Sequence, residues 1–219
     1  METRRQSGMT LIELGIVLAI VSALVVVALP AFNGAISNQR LKGAARAVAD
    51  AFFLARSEAI RSGNTHLVIF QQSLGATDPI VIVDDGLPAT ANCTIDAGEV
   101  RHSITAVNGV VWGTTSTLAN GTAAPYDSGA ASGEVDTGSS FTDASLSASN
   151  PATWVLFQPD GIPRLFTPNA GACDAIGLLG LGGGAIYLTN TLRDYAIVLS
   201  NVGTTRTHVW IPSAGQWKK

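Results

Sequence analysis

Hydrophobic patterning changes character twice along the chain, near residue 30 and again near residue 65. From Met9 to Leu29 the positions are almost all apolar, and Glu13 is the single charge among them. As a helix these 21 residues would extend about 31 Å, enough to cross a hydrocarbon core. Pro30 follows. Its ring removes one helical hydrogen bond and clashes with the preceding turn, which predicts a kink or local break near Leu29–Gly34. Beyond it Leu41, Ala44, Ala45, Val48, Phe52, Ala55 and Ala59 recur at spacings of three, four and seven, the signature of one buried helix face. Arg40, Lys42, Arg46, Asp50, Arg56 and Arg61 mostly take the other side. Arg61-Ser62-Gly63-Asn64 supplies a basic last turn and a C-cap glycine, so the helix should stop there.

From Thr65 the period is two. Short strands are predicted at Leu67–Phe70, Ile80–Val83, Val100–Ile104, Val110–Trp112, Trp154–Phe157, Leu165–Phe166, Ala185–Leu188, Tyr195–Leu199 and Thr207–Ile211, separated by Asp-Pro, Asp-Gly, Asn-Gly and Gly-rich breaks. Residues 113–150 hold no sustained period and read as a long surface loop, mobile rather than binding. Gly177–Gly184 lacks the Lys-Ser/Thr and the following helix of a phosphate loop, and reads as a turn. The expected fold is therefore α+β. Residues 9–30 form a transmembrane helix and 31–64 an amphipathic one, packed on an antiparallel β-rich domain spanning 65–219.

Composition narrows the function. Charged residues are 13% of the chain and the net charge is −3, which argues against a protein that coats nucleic acid. Apolar residues are 47%, which argues against disorder. Cys93 and Cys173 are the two cysteines. In an exported domain they form one disulfide; the alternative is two unrelated buried thiols. His66, His102 and His208 are scattered and none has ligand spacing to a cysteine, so neither a metal site nor any other cofactor is expected. Asp84-Asp85-Gly86 lacks the later ligands of a calcium loop and reads as a turn. No G-x-S-x-G or H-E-x-x-H occurs, and an enzyme is not expected.

The N-terminus carries the specific signal. Arg4 and Arg5 precede Ser7-Gly8, and Met9-Thr10-Leu11-Ile12-Glu13-Leu14 follows. A secretory signal peptide ending near Leu29-Pro30-Ala31, or a plain anchor, would fit the hydropathy but not this string with its lone carboxylate. The string resembles the class III signal of type IV prepilins and type II secretion pseudopilins. That resemblance implies a leader at 1–8, cleavage by a membrane aspartyl peptidase between Gly8 and Met9, and methylation of the Met9 amine. The family more often has Phe where this chain has Met9. It also implies that Glu13 attracts the amino terminus of a neighbouring subunit during filament assembly, two opposite charges attracting strongly in a low dielectric. Basic residues before the span and none after it until Arg40 place the N-terminus in the cytoplasm and the domain outside the inner membrane.

Phe52–Asn64 running into Leu67–Phe70 resembles the GspH/FimT group of minor pilins and pseudopilins, and Phe157-Gln158-Pro159-Asp160-Gly161 resembles that group's second landmark. The resemblance implies a β-sandwich-like domain and a low-abundance subunit near a filament tip that helps start assembly. Implied partners are other major and minor pilins or pseudopilins, the prepilin peptidase, the inner-membrane assembly platform and membrane lipid. Some members of the group bind DNA through a C-terminal G-R-x-R. Here the matching place reads Gly203-Thr204-Thr205-Arg206, without the first arginine. Removing Glu2, Arg4 and Arg5 with the leader takes the net charge from −3 to −4. A DNA-binding pilin, with Arg206 as contact, is thus the alternative, and DNA is not an expected partner.

Overall fold

The computed structural model describes residues 10–70, 78–86, 92–127, 132–141, 152, 154–164 and 183–219. The expected strand at Leu165–Phe166, the processing site Gly8–Met9, Cys173 and residues 177–182 of the glycine-rich run lie outside them. The chain divides into two units, Met1–Ser37 and Asn38–Lys219, and one element, helix α1 (Leu11–Ser62), belongs to both. Pro30 stands inside α1, whose helical assignment continues through it. The local break expected at that point does not interrupt the helix.

Among the described residues of the second unit ten strands form two antiparallel sheets, in line with the α+β expectation. The strands are β1 (Thr65–Phe70), β2 (Ile80–Asp85), β3 (Arg101–Ile104), β4 (Val111–Trp112), β5 (Trp154–Phe157), β6 (Pro163–Arg164), β7 (Gly184–Thr189), β8 (Asp194–Leu199), β9 (Thr205–Ile211) and β10 (Gln216–Lys218). One sheet has the order β3-β2-β1-β5-β6 and the other β10-β9-β8-β7-β4. Register in the first is set by Val68↔Ile82 and Val68↔Val155, and in the second by Ile186↔Ile197 and Ala196↔His208.

The seven positions picked out by helical spacing are all buried, together with Ala51. They share one apolar cluster with one face of each sheet: Val68, Phe70, Ile80, Ile82, Val155 and Phe157 from the first, Ile186, Leu188, Ile197 and Leu199 from the second. The opposite face of the first sheet is also buried, Leu67, Ile69, Val81, Val83, Trp154 and Leu156 packing with Cys93. This explains why β1 and β2 read as continuous apolar runs: a strand covered on both faces has no polar side to alternate. The helix ends as its residues dictate. Gly63 adopts φ +74° and its N–H reaches the Ala59 carbonyl at 3.1 Å, the left-handed cap that glycine makes without strain.

Of residues 113–150, expected to be a mobile surface loop, the described part is packed. The described part of this stretch contains a short helix α2 (Ser132–Thr137) and buries Ala119, Ala124, Val135 and Phe141. Phe141 is fully buried, its ring 6.0 Å from that of Phe52 and 5.3 Å from that of Phe70. Its apolar residues are isolated rather than periodic, so pattern alone hid the packing. Phe141 also explains why β7 opens with glycine: a Cβ on Gly184 would stand 2.7 Å from its ring. Strand β10 was not expected either. It pairs Trp217 with Trp210 after a turn in which Gly215 takes φ +59°.

Adjacent aromatic residues on α1 give a direct check on the buried face. Phe52 is 1% exposed and Phe53 70%. Phe52→Ala should cost about 3–5 kcal/mol of stability, and Phe53→Ala under about 0.5 kcal/mol. Urea unfolding of the full chain in detergent measures both, and equal losses would show that the wrong face had been assigned to the core.

Candidate functional site

The apolar part of α1 carries the first candidate site. Between Leu11 and Leu29 the described side chains are exposed, Leu11 at 89% and Val26 at 70%, and the helix is long and apolar enough to cross a membrane. Its polar groups are handled within the helix. The Ser22 hydroxyl donates to the carbonyls of Leu18 and Ala19, at 2.7 and 3.0 Å. Glu13 belongs to a reciprocal cap. Its carboxylate accepts from the Thr10 N–H at 2.8 Å and the Thr10 hydroxyl at 2.9 Å, while the Glu13 N–H donates back to that hydroxyl at 3.3 Å. This is a capping box: Thr-x-x-Glu satisfies donors that the first helical turn would leave unpaired. The carboxylate therefore has a local role at the helix start, where the helix dipole also favours negative charge. Spacing already contained that signal in Thr10-Leu11-Ile12-Glu13.

The second candidate lies in the folded unit, where the three sequence landmarks meet. Phe157-Gln158-Pro159-Asp160-Gly161 forms the turn between β5 and β6. Pro159 presets the turn, the Gly161 N–H reaches the Gln158 carbonyl at 2.8 Å, and the Asp160 carboxylate accepts from Ile162 N–H at 2.9 Å. Gly161 has φ +72°, and a Cβ there would stand 2.7 Å from the Ile60 side chain of α1. Gly203, in the β8–β9 turn, has φ +78°, and its Cβ would meet the Gly161 carbonyl oxygen at 2.9 Å. Arg56 joins these turns to the helix. Its guanidinium donates to the Gly203 carbonyl at 3.1 Å, and its Nε would stand 3.2–3.3 Å from a Cβ on either glycine. Phe52 completes the joint, its ring 6.4 Å from that of Phe157.

Gly203 is thus a receptor for Arg56, a role the sequence comparison with G-R-x-R did not suggest. Arg206, at the end of that segment, is exposed, and its guanidinium lies 4.5 Å from the centre of the Tyr126 ring. No family model, no curated protein and no solved structure matches this chain.

Near the end of α1, Glu58 and Arg61 pair, and the guanidinium holds the Glu58 carboxyl below its ordinary range. His66 Nε2 is 4.0 Å from Asp84 Oδ2 across the β1–β2 pair. Among the described residues, no group of three or more His, Cys, Asp or Glu side chains is disposed to hold a metal ion. Cys93 is disulfide-bonded, and Cys173 is the chain's only other cysteine. The segment of Cys93 is fixed by Asp85, which is fully buried and accepts from the N–H groups of Asn92 at 3.0 Å and Cys93 at 2.9 Å. Burial pushes the Asp85 carboxyl up despite those two donors.

The Arg56 joint predicts a graded glycine series. Gly203→Ala brings a backbone clash as well as positive φ, so it should lose more than about 1 kcal/mol. Gly215→Ala, with φ +59° and open space around it, should lose only the roughly 1 kcal/mol of backbone strain. Thermal unfolding of the two variants compares them, and a smaller loss at Gly203 than at Gly215 would remove the joint.

Proposed function

We propose that this chain is a minor type IV pilin or an H-type pseudopilin of a type II secretion system, a structural subunit that helps initiate or cap a membrane-derived filament. The observation that carries the reading is a conjunction within α1. An exposed apolar stretch bears one carboxylate in its first turn, and the same helix continues into an alanine-lined stretch that belongs to a folded unit. A secretory signal peptide is cut away from its domain and has no use for that continuity. A subunit that must wait in a bilayer and then enter a helical filament core needs it.

In this reading the prepilin peptidase cuts between Gly8 and Met9 and methylates the Met9 amine. The mature subunit sits in the inner membrane with a cytoplasmic N-terminus and its β-rich domain outside. The assembly platform then draws it toward other pilins or pseudopilins, and Glu13 receives the amino terminus of a neighbour. A helix-length apolar surface suits both environments, lipid tails first and neighbouring helices afterwards. The landmarks at Phe52–Asn64 and Phe157–Gly161 favour the GspH/FimT type, and they support it as a set because Arg56, Gly161 and Gly203 form one joint.

The intact mass of the mature protein tests processing. A chain beginning at methylated Met9 is expected, and an uncut chain or one cut near Pro30 overturns the reading. Glu13→Ala should leave cleavage and membrane insertion unchanged while lowering, by several-fold, the share recovered in the sheared filament fraction. Undiminished incorporation would remove the charge-pair role. Deleting the gene and scoring surface filaments against protein export separates the pilus from the secretion version.

A further inference from the structure

The outer face of the second sheet is covered by residues from the 113–150 stretch. Ala119, Ala124 and Val135 pack there on Ala185, Tyr187, Ala196, Val198, Trp210 and Trp217. Several polar contacts fix the cover. Asp194 on β8 is fully buried and accepts from the N–H groups of Thr115 at 3.1 Å and Ala119 at 3.0 Å. The Tyr187 hydroxyl on β7 accepts from the Ala124 N–H at 3.0 Å and donates to Asp127 at 2.5 Å. The Ser140 hydroxyl donates to the other Asp127 oxygen at 2.8 Å. The Trp217 Nε1–H on β10 donates to the Thr122 carbonyl at 2.9 Å.

Among the described residues of this face, His208 stands out. His208 on β9 is 4% exposed, yet neither ring nitrogen has a hydrogen-bond partner. It lies two residues from Arg206, on which Tyr126 of the cover stacks, and two from Trp210, which the cluster buries. Its register partner on β8 is Ala196, which offers no polar group. The charged groups acting on it are Arg206 on its own strand and Lys219 after β10, both cations. Both Asp127 oxygens are engaged, with Tyr187 and Ser140, and Asp194 Oδ2 accepts from Thr115 and Ala119. Asp194 Oδ1 is buried without a partner, and neither it nor His208 bonds to the other. An imidazolium here would be buried without an acceptor and beside two like charges. The closed form therefore disfavours the charged ring.

We propose that His208 makes residues 115–127 an acid-released cover, whose opening is coupled to protonation of the His208 ring and bares the Trp210, Trp217 and Tyr187 face. The sign follows from burial. Desolvation, with Arg206 and Lys219, lowers the His208 affinity for a proton in the closed form. Closure is therefore fully favoured above the pKa of a solvated histidine, about 6.5, and weakens as the pH falls below it. One proton coupled to opening changes the open fraction by at most tenfold per pH unit, so between pH 7 and pH 5 the gain is up to about 25-fold.

Amide hydrogen exchange on the full chain in detergent, corrected for the intrinsic pH dependence of exchange, tests the proposal. Thr115, Ala119 and Ala124 should lose protection by roughly 10- to 25-fold from pH 7 to pH 5, while Ile186 and Ile197 in the main cluster hold theirs. His208→Leu and His208→Gln, two non-titrating replacements of differing polarity, should each flatten that dependence, and either one folded suffices. An NMR titration of the wild-type His208 ring covers the case in which neither folds: it should stay neutral well below pH 6.5 while the cover is closed. Unchanged protection between pH 7 and pH 5, an equal loss in a folded His208 variant, or a closed-state ring that protonates near pH 6.5 would each overturn it.

Discussion

Burial of one alanine-rich face of α1 is the interaction on which the folded unit depends. Ala44, Ala45, Ala51, Ala55 and Ala59 bring the helix backbone close to its neighbours, and Leu41, Val48 and Phe52 fill the remaining volume. The cluster draws on one face of each sheet, so removing the helix would leave both faces uncovered at once. Small side chains also set tolerance. An alanine in close contact cannot be enlarged without shifting its neighbours, whereas Phe53, two positions from both Ala51 and Ala55, faces solvent.

The close approach has a second consequence at the far end of the helix. Arg56 and Ile60 reach the sheet turns at a distance that leaves no room for a Cβ, and both turns there carry glycine in the left-handed region. The guanidinium is held by the Gly203 carbonyl, and its Nε is buried without a partner. That orphaned donor is a cost which packing around it must offset. Gly161 and Gly203 are therefore explained by α1, although each lies more than 90 residues from it in sequence.

Periodicity made much of this legible. The seven helix positions, the Gly63 stop and eight of the nine expected strands reflect local rules, a period of 3.6 or of 2 ended by a turn residue, and the described residues agree within a few positions; the ninth, Leu165–Phe166, lies outside them. The failures share a cause. Phe141, Tyr126 and Trp217 are isolated aromatics, and what they do is set by partners distant in the chain: Phe52 and Phe70, Arg206, and the Thr122 carbonyl. Asp194 and His208 were equally opaque. A buried carboxylate fed by two backbone N–H groups and a buried imidazole with none differ only in tertiary surroundings. Glu13 stood out by composition, and its capping partner was present in the Thr10-x-x-Glu13 spacing, a local signal that the geometry bears out.

That cap bears on how an assembly role for Glu13 would operate. Within its own chain Oε2 of the carboxylate already accepts twice from Thr10, so a neighbour's amine meets a charge that its own helix has partly stabilised. The cap is a short-range, local interaction that depends little on what surrounds the helix. Attraction between full charges scales inversely with the dielectric constant, about fourfold stronger at an effective value near 20 than in bulk water. The balance therefore tilts toward the neighbour only where water is excluded, as in a packed core of helices. In an aqueous setting the cap wins and pairing is weak. Under the filament reading, this makes the capping box a holding state: it lowers the cost of carrying a carboxylate at the start of an apolar helix, and it yields when neighbouring helices close around it.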